Sequence, residues 1–240
     1  MSNSISRYLN NCLIFVQNRL PQDCLLCGGR VVGAQLCNTC HTRLPVLPRP
    51  RCGQCALPLP HHDPAAPLIC GHCLKHPRAF SRTVAVYAYA TPLDGLVKRC
   101  KYAGELSVTA WFAQSLAREL KAEPRPDLIL PMPLHDRRLA DRGFNQAVEI
   151  ARRLAPLLDL PWTAQGCERT RDTPPQAGLD LRARRRNLRG AFRCNLDLSG
   201  KRVALLDDVM TSGASLDALA REAIRAGAAE VSAWVVARTL

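Results

Sequence analysis

The chain has 240 residues, 47% of them apolar and 5% aromatic, with 33 Lys+Arg against 20 Asp+Glu for a formal net charge of +13. That apolar fraction excludes wholesale disorder, and the length allows one or two domains of ~100–200 residues. No apolar run approaches the ~20 residues that cross a bilayer, and the run Cys12 to Val16 is too short for a secretory signal, so no membrane insertion and a cytoplasmic address are expected.

Residues 1–22 form an N-terminal helical segment in this reading, and 23–80 a small metal-bound domain. Eight of the 12 Cys fall in four Cys-x-x-Cys pairs: Cys24–Cys27, Cys37–Cys40, Cys52–Cys55 and Cys70–Cys73. In a reducing compartment such pairs indicate metal ligation, because each tight turn points two sulfurs at one ion and two turns complete the tetrahedral thiolate set that zinc prefers. A redox dithiol is the alternative, and four successive pairs in a Pro-rich segment suit it poorly. Two structural zinc ions are therefore expected. Nearest-neighbour pairing closes the shortest loops, with Cys24, Cys27, Cys37 and Cys40 on one ion and Cys52, Cys55, Cys70 and Cys73 on the other. A cross-braced pairing stays open. Gly28, Gly53 and Gly71 sit where a positive φ is cheap. Each four-thiolate site carries two net negative charges, which lowers +13 to +9 and leaves a chain suited to a phosphate-bearing partner.

Beyond residue 80 the pattern predicts strands alternating with helices: a strand over 83–89, helices over 93–102 and 105–121, a strand over 127–131, a helix over 144–158, a strand over 163–167, a basic loop over 169–190, an apolar strand over 203–206, a helix over 215–226 and a strand over 230–237. Such alternation is the signature of an α/β domain, here 81–240, with a parallel sheet covered by helices on both faces. Trp111, Trp162 and Trp234 are expected in its core. Lys101 is expected to be solvated beside a half-buried Tyr102.

The most informative stretch runs from Val203 to Ser215. A buried strand ends in Asp207 and Asp208; Thr211, Ser212, Gly213, Ala214 and Ser215 then lead into a helix. N–H groups and hydroxyls converging at a helix N-terminus make an anion site, and Gly213 admits close approach. Paired carboxylates suit vicinal ribose hydroxyls or a Mg²⁺ bridging to pyrophosphate. A plain strand-to-helix turn with incidental acids, or an acidic pocket of receiver type, would look similar.

These thirteen residues resemble, position for position, the signature of type I phosphoribosyltransferases, which bind 5-phosphoribosyl-1-pyrophosphate (PRPP). Together with the cysteine pairs, Lys101-Tyr102-Ala-Gly104, Pro131-Met-Pro-Leu-His135 and Arg142-Gly-Phe-Asn-Gln146, they make the chain similar to the ComF family of competence-associated proteins, which combine a double zinc ribbon with a phosphoribosyltransferase domain. The resemblance implies that Asp207 and Asp208 contact the ribose hydroxyls, that Thr211 to Ser215 wrap the 5′-phosphate, and that Mg²⁺ accompanies PRPP. Arg137, Arg138 and Arg142, which follow the strand ending at Leu130, become candidate pyrophosphate ligands. Residues 168–193 hold eight Arg and three acids. Arg184 and Arg185 join Asp207 and Asp208 as candidate catalytic residues, since guanidinium groups there could neutralise a departing pyrophosphate. The same cluster, with Arg182, Arg186 and Arg189, could instead meet nucleic acid phosphates or face solvent. His135 and Asn145 are pocket members or helix caps. Three functions follow from the resemblance: a PRPP-binding protein linked to DNA uptake, a nucleotide-salvage or amidophosphoribosyltransferase-like enzyme unrelated to it, or a non-catalytic nucleic-acid-binding factor with a vestigial PRPP site. The expected partners are PRPP, single- or double-stranded DNA and other DNA-uptake proteins.

Overall fold

A computed structural model describes residues 21–59, 67–172 and 190–240. The N-terminal segment to residue 20 and the cluster Arg182 to Arg189, including Arg184 and Arg185, lie outside the described residues. The chain divides into two compact units, one ending at Leu44 and the other running from Pro45 to Leu240.

In the first unit β1 (Pro21–Asp23) pairs antiparallel with β2 (Arg30–Val32), and a short helix α1 (Asn38–Thr42) follows. Gly28, at φ +73°, makes the intervening turn; Gly53 and Gly71, expected to do the same, do not have positive φ. The second unit opens with a Pro-rich stretch that, among the described residues, carries no regular element before the short helix α2 (Gly71–Lys75), because Pro removes donors and blocks helix.

The sheet consists of β3 (Arg82–Ala88), β4 (Leu128–Pro131), β7 (Arg202–Met210) and β8 (Glu230–Arg238), in the order β3-β8-β7-β4 and parallel throughout. Helices α3 (Leu93–Ala103), α4 (Ser107–Glu119), α5 (Asp136–Arg142), α6 (Gln146–Leu158) and α7 (Ala214–Arg225) connect the strands. α4 and α6 pack together on one face. On the other, Val203 and Leu205 of β7 and Val231, Ala233 and Val235 of β8 join Leu216, Leu219, Ala220 and Ala223 of α7 in one apolar cluster. That cluster continues into Cys52, Cys55, Cys73 and Phe80, so the second cysteine quartet shares the core of the sheet.

Three differences from expectation have local causes. β7 runs to Met210 instead of stopping at Leu206, because its pairing with β8 continues through Asp207↔Val235 to Met210↔Arg238. The helix expected from 144 starts at Gln146, since the Asn145 Oδ1 accepts from the Ala147 N–H at 2.9 Å and caps it. Residues 161–163 run along the β4 edge, with the Ile129 N–H donating to the Pro161 carbonyl at 3.0 Å. The strand expected there forms later, as β5 (Cys167–Arg169), paired antiparallel with β6 (Phe192–Cys194). Trp111 and Trp234 are buried as expected, while Trp162 on the sheet edge is only half-buried.

Candidate functional site

The cysteines form two quartets in the sequential pairing: Cys24, Cys27, Cys37 and Cys40, and Cys52, Cys55, Cys70 and Cys73, with the ligand atoms of each set all within 4.8 Å of one another. Zn–S bonds of ~2.3 Å in a regular tetrahedron set sulfurs ~3.8 Å apart. Cys27 Sγ and Cys37 Sγ lie 3.8 Å apart, and Cys55 Sγ and Cys70 Sγ 3.7 Å. Backbone N–H groups point at the sulfurs, Cys37 N to Cys24 Sγ at 3.4 Å and Cys70 N to Cys52 Sγ at 3.3 Å. Burial alone would raise the Cys24 thiol, but hydrogen bonds from the backbone of Cys27, Cys37 and Leu26 outweigh it and bring it to about 6. Both quartets fit structural zinc, and four protein ligands leave no position for a reacting molecule.

The second centre lies at the carboxyl ends of the strands, where parallel sheets bind ligands. Asp207 and Asp208 are near the end of β7; the Asp207 Oδ1 accepts from the Asp208 N–H at 2.9 Å, and the Asp208 Oδ1 from the Val209 N–H at 2.8 Å. Thr211 and Ser212 carry the chain to Gly213, which adopts φ +73° as the N-cap of α7. A glycine cap brings no side chain to the leading N–H groups of the helix, apart from a long contact between the Ala214 N–H and the Ser212 Oγ at 3.4 Å. Asp207 and the bend from Val209 to Leu216 line a small open pocket of about 40 Å³. Burial, and then the Asp208 charge, push the Asp207 carboxyl up to about 7.

Lys101 was missed as a site residue. Its Nζ lies 2.7 Å from the Asp208 Oδ2, with side-chain exposures of 23% and 8%. Burial alone would lower its ammonium pKa, but the Asp208 charge and hydrogen bond leave it raised. Tyr102 turns outward at 79% exposure, the reverse of the expected arrangement. The helical period carried the signal: Leu93, Leu96, Val97 and Cys100 are the buried stripe of α3, and Lys101 is four residues beyond Val97 on the same side. The Arg142 guanidinium lies 5.8 Å from the Tyr102 ring centre and donates to the Gln146 Oε1 at 2.7 Å. The Arg138 Nε lies 3.4 Å from the Asp172 Oδ1, whereas Arg137 is exposed on α5. His135 and Asn145 are caps; the Asn145 Nδ2 also donates to the Met132 carbonyl at 2.9 Å, which ties α6 to the loop after β4. A further basic group, Arg169, comes from β5. Burial and the neighbouring Arg138 lower its guanidinium pKa, opposed by Asp172 and Asp207. Lys101 and Arg169 thus act on the acid pair directly, Arg142 acts on Lys101 and Arg138 on Arg169, with the glycine bend beside the pair.

A family model described as a double zinc ribbon domain matches residues 15–74. The DNA utilization protein YhgH of Salmonella typhi is 38% identical over 195 residues, covering 79% of this chain and 84% of that protein. Competence protein F of Haemophilus influenzae is 31% identical over 230 residues, covering 90% and 96%. Among solved structures, a purine phosphoribosyltransferase from Pyrococcus horikoshii matches at 22% identity over 54% of this chain and 81% of that one, with a TM-score of 0.35.

Proposed function

The chain belongs to the ComF family, and on that footing we propose that it is a PRPP-binding, phosphoribosyltransferase-like protein that serves the handling of DNA. The observation that carries the proposal is the adjacent pair Asp207–Asp208 at the carboxyl end of β7, followed by the bend Thr211 to Ser215 at the head of α7. Ribose hydroxyls would donate to the two carboxylates, and the 5′-phosphate would accept from the N–H groups and hydroxyls of the bend. The pyrophosphate would face Lys101, Arg138, Arg142 and Arg169, whose positive charge stabilises it as it departs from C1.

Mg²⁺ fits this donor set as an ion shared with substrate. The acid pair already accepts two backbone N–H groups and the Lys101 ammonium, so most of the ion's oxygens would come from pyrophosphate, with Asp207 as the protein carboxylate. It would supply charge neutralisation at the leaving group. The chain's own part is to hold the ribose on the acids, fix the 5′ end in the bend and set the cations around the other end.

Calorimetry with PRPP and Mg²⁺ should show binding by the native chain and none by Asp207→Asn/Asp208→Asn; equal binding by that variant refutes the assignment. DNA as a partner is favoured by the names of the relatives and by the eight Arg of residues 168–193. Its affinity should fall steeply with salt and with Arg184→Ala/Arg185→Ala/Arg186→Ala. DNA binding that ignores all three changes clears that segment. Release of pyrophosphate from PRPP in the presence of a panel of bases then separates a transferase from a binding protein.

A further inference from the structure

The second cysteine quartet and the glycine bend are joined by two arginines that neither the zinc chemistry nor the phosphate reading uses. Arg238, the last residue of β8, is 6% exposed. Its Nε donates to the carbonyl of Cys55, a ligand residue of the second quartet, at 2.9 Å. Its Nη1 donates to the carbonyls of Met210 at 3.2 Å, of Thr211 and of Thr239. One planar fork thus spans from a zinc knuckle to the first residues of the bend. Arg78, just beyond the quartet, repeats the device from the other side: its Nη2 donates to the Ser212 carbonyl at 2.9 Å. The adjoining Ala79 N–H donates to the Asp217 Oδ1 on α7 at 2.6 Å. Gln54, inside the knuckle, holds the Arg78 backbone in both directions, with its Oε1 accepting from the Arg78 N–H at 3.2 Å and its Nε2 donating to the Arg78 carbonyl at 3.5 Å and the Phe80 carbonyl at 3.2 Å.

The electrostatics are as telling as the contacts. Among the described residues no carboxylate lies within ion-pair distance of Arg238 or Arg78. The buried Arg238 guanidinium, bonded only to carbonyls, is costly unless a negative centre lies near, while the half-buried Arg78 also has its Nη2 3.4 Å from the His72 Nε2. Two such centres are available on opposite sides: the four thiolates of the quartet, net two-minus around a zinc ion, and an anion seated in the bend. Turning the carbonyls of Thr211 and Ser212 backward onto the arginines also leaves the other side of the bend for its N–H groups.

We propose that Arg238 and Arg78 are positioning residues that couple the order of the 211–215 bend, and its affinity for a phosphate ester, to metal in the second quartet and not in the first. The phosphate half of this inference rests on the reading of the bend given above; the ordering half does not. The first quartet belongs to the other compact unit and shares none of these hydrogen bonds.

Hydrogen exchange of the amides of residues 209–216, read in the zinc-loaded full chain, tests the coupling without reference to activity. Cys73→Ser, which opens the second quartet, and Arg238→Gln should each raise exchange across 209–216 and weaken PRPP binding about tenfold or more, as expected for losing charge-assisted hydrogen bonds. Cys40→Ser, which opens the first quartet, should leave both unchanged. Arg238→Lys keeps the charge without the fork, and the bend should stay loose; full restoration of protection by Lys overturns the positioning role. If Cys73→Ser is insoluble, graded chelation of the native chain asks the same question. The 209–216 amides should lose protection as the second ion leaves and before the amides of β7 at 203–206. Unchanged exchange at 209–216 in Arg238→Gln, or loss of protection in β7 first, overturns the proposal. A native chain that binds no PRPP removes the phosphate reading, and the exchange results still decide the coupling.

Discussion

The acid pair carries a folding cost that a single substitution should relieve. Burial and the Asp208 charge raise the Asp207 carboxyl from 3.8 to about 7. Between those two pH values the unfolded chain has lost this proton while the folded chain keeps it, so stability falls as pH rises through the interval and is flat above it. At about 1.4 kcal/mol per pH unit, the full cost above pH 7 is about 4 kcal/mol, and at about pH 5.5 it is about 2 kcal/mol. Asp207→Asn removes the titrating group and keeps an oxygen able to accept from the Asp208 N–H, a bond of 2.9 Å in the native chain. The Lys101–Asp208 pair is untouched. Asp207→Asn should therefore be more stable than the native chain, by about 2 kcal/mol more at about pH 8.5 than at about pH 5.5, or ~4–8 °C in Tm for a chain of this size. Thermal unfolding of the two proteins side by side at each pH is the assay; taking their difference cancels the titration of the cysteine quartets. The same variant should bind PRPP far more weakly, so stability and binding move in opposite directions. A stability difference that does not change with pH, or a loss of stability at the alkaline end, refutes the electrostatic reasoning.

Lys101→Met should destabilise the chain by about 3 kcal/mol, because it strands the buried Asp208 beside Asp207, and Lys101→Met/Asp208→Asn should recover most of that loss in denaturant unfolding. Gly213→Ala should cost about 1–2 kcal/mol for holding a side chain at φ +73°; its Cβ would also meet the Met210 Cε, a flexible end that can give way, so a much larger loss in urea unfolding contradicts this account. Elemental analysis should find two zinc ions per chain, one after Cys27→Ser and one after Cys70→Ser, and loss of both ions from either variant would mean that the quartets are not independent.

Some of this was readable in the chain alone because it depends on neighbours in sequence. A Cys-x-x-Cys turn aims its two sulfurs by local geometry, and loop length favours the sequential pairing that the structure shows. The alternation of apolar strands with periodic helices sufficed for a parallel sheet, and the acids, glycine and helix start of the bend lie within thirteen consecutive residues. What the sequence could not decide are meetings between residues far apart. Lys101 reaches Asp208 across 107 positions because the fold brings the last turn of α3 to the end of β7. β5 and β6 pair across the segment that separates them, which brings Cys167 Sγ within 2.7 Å of Cys194 Sγ and places Arg169 near the acids. Arg238, near the end of the chain, joins Cys55 to Thr211. No local pattern marks such residues, since an arginine at a strand end looks the same whether it faces water or carbonyls. Only the folded sheet, which lays the ends of β7 and β8 side by side against the cysteine knuckle, determines which charges are buried and what they hold in place.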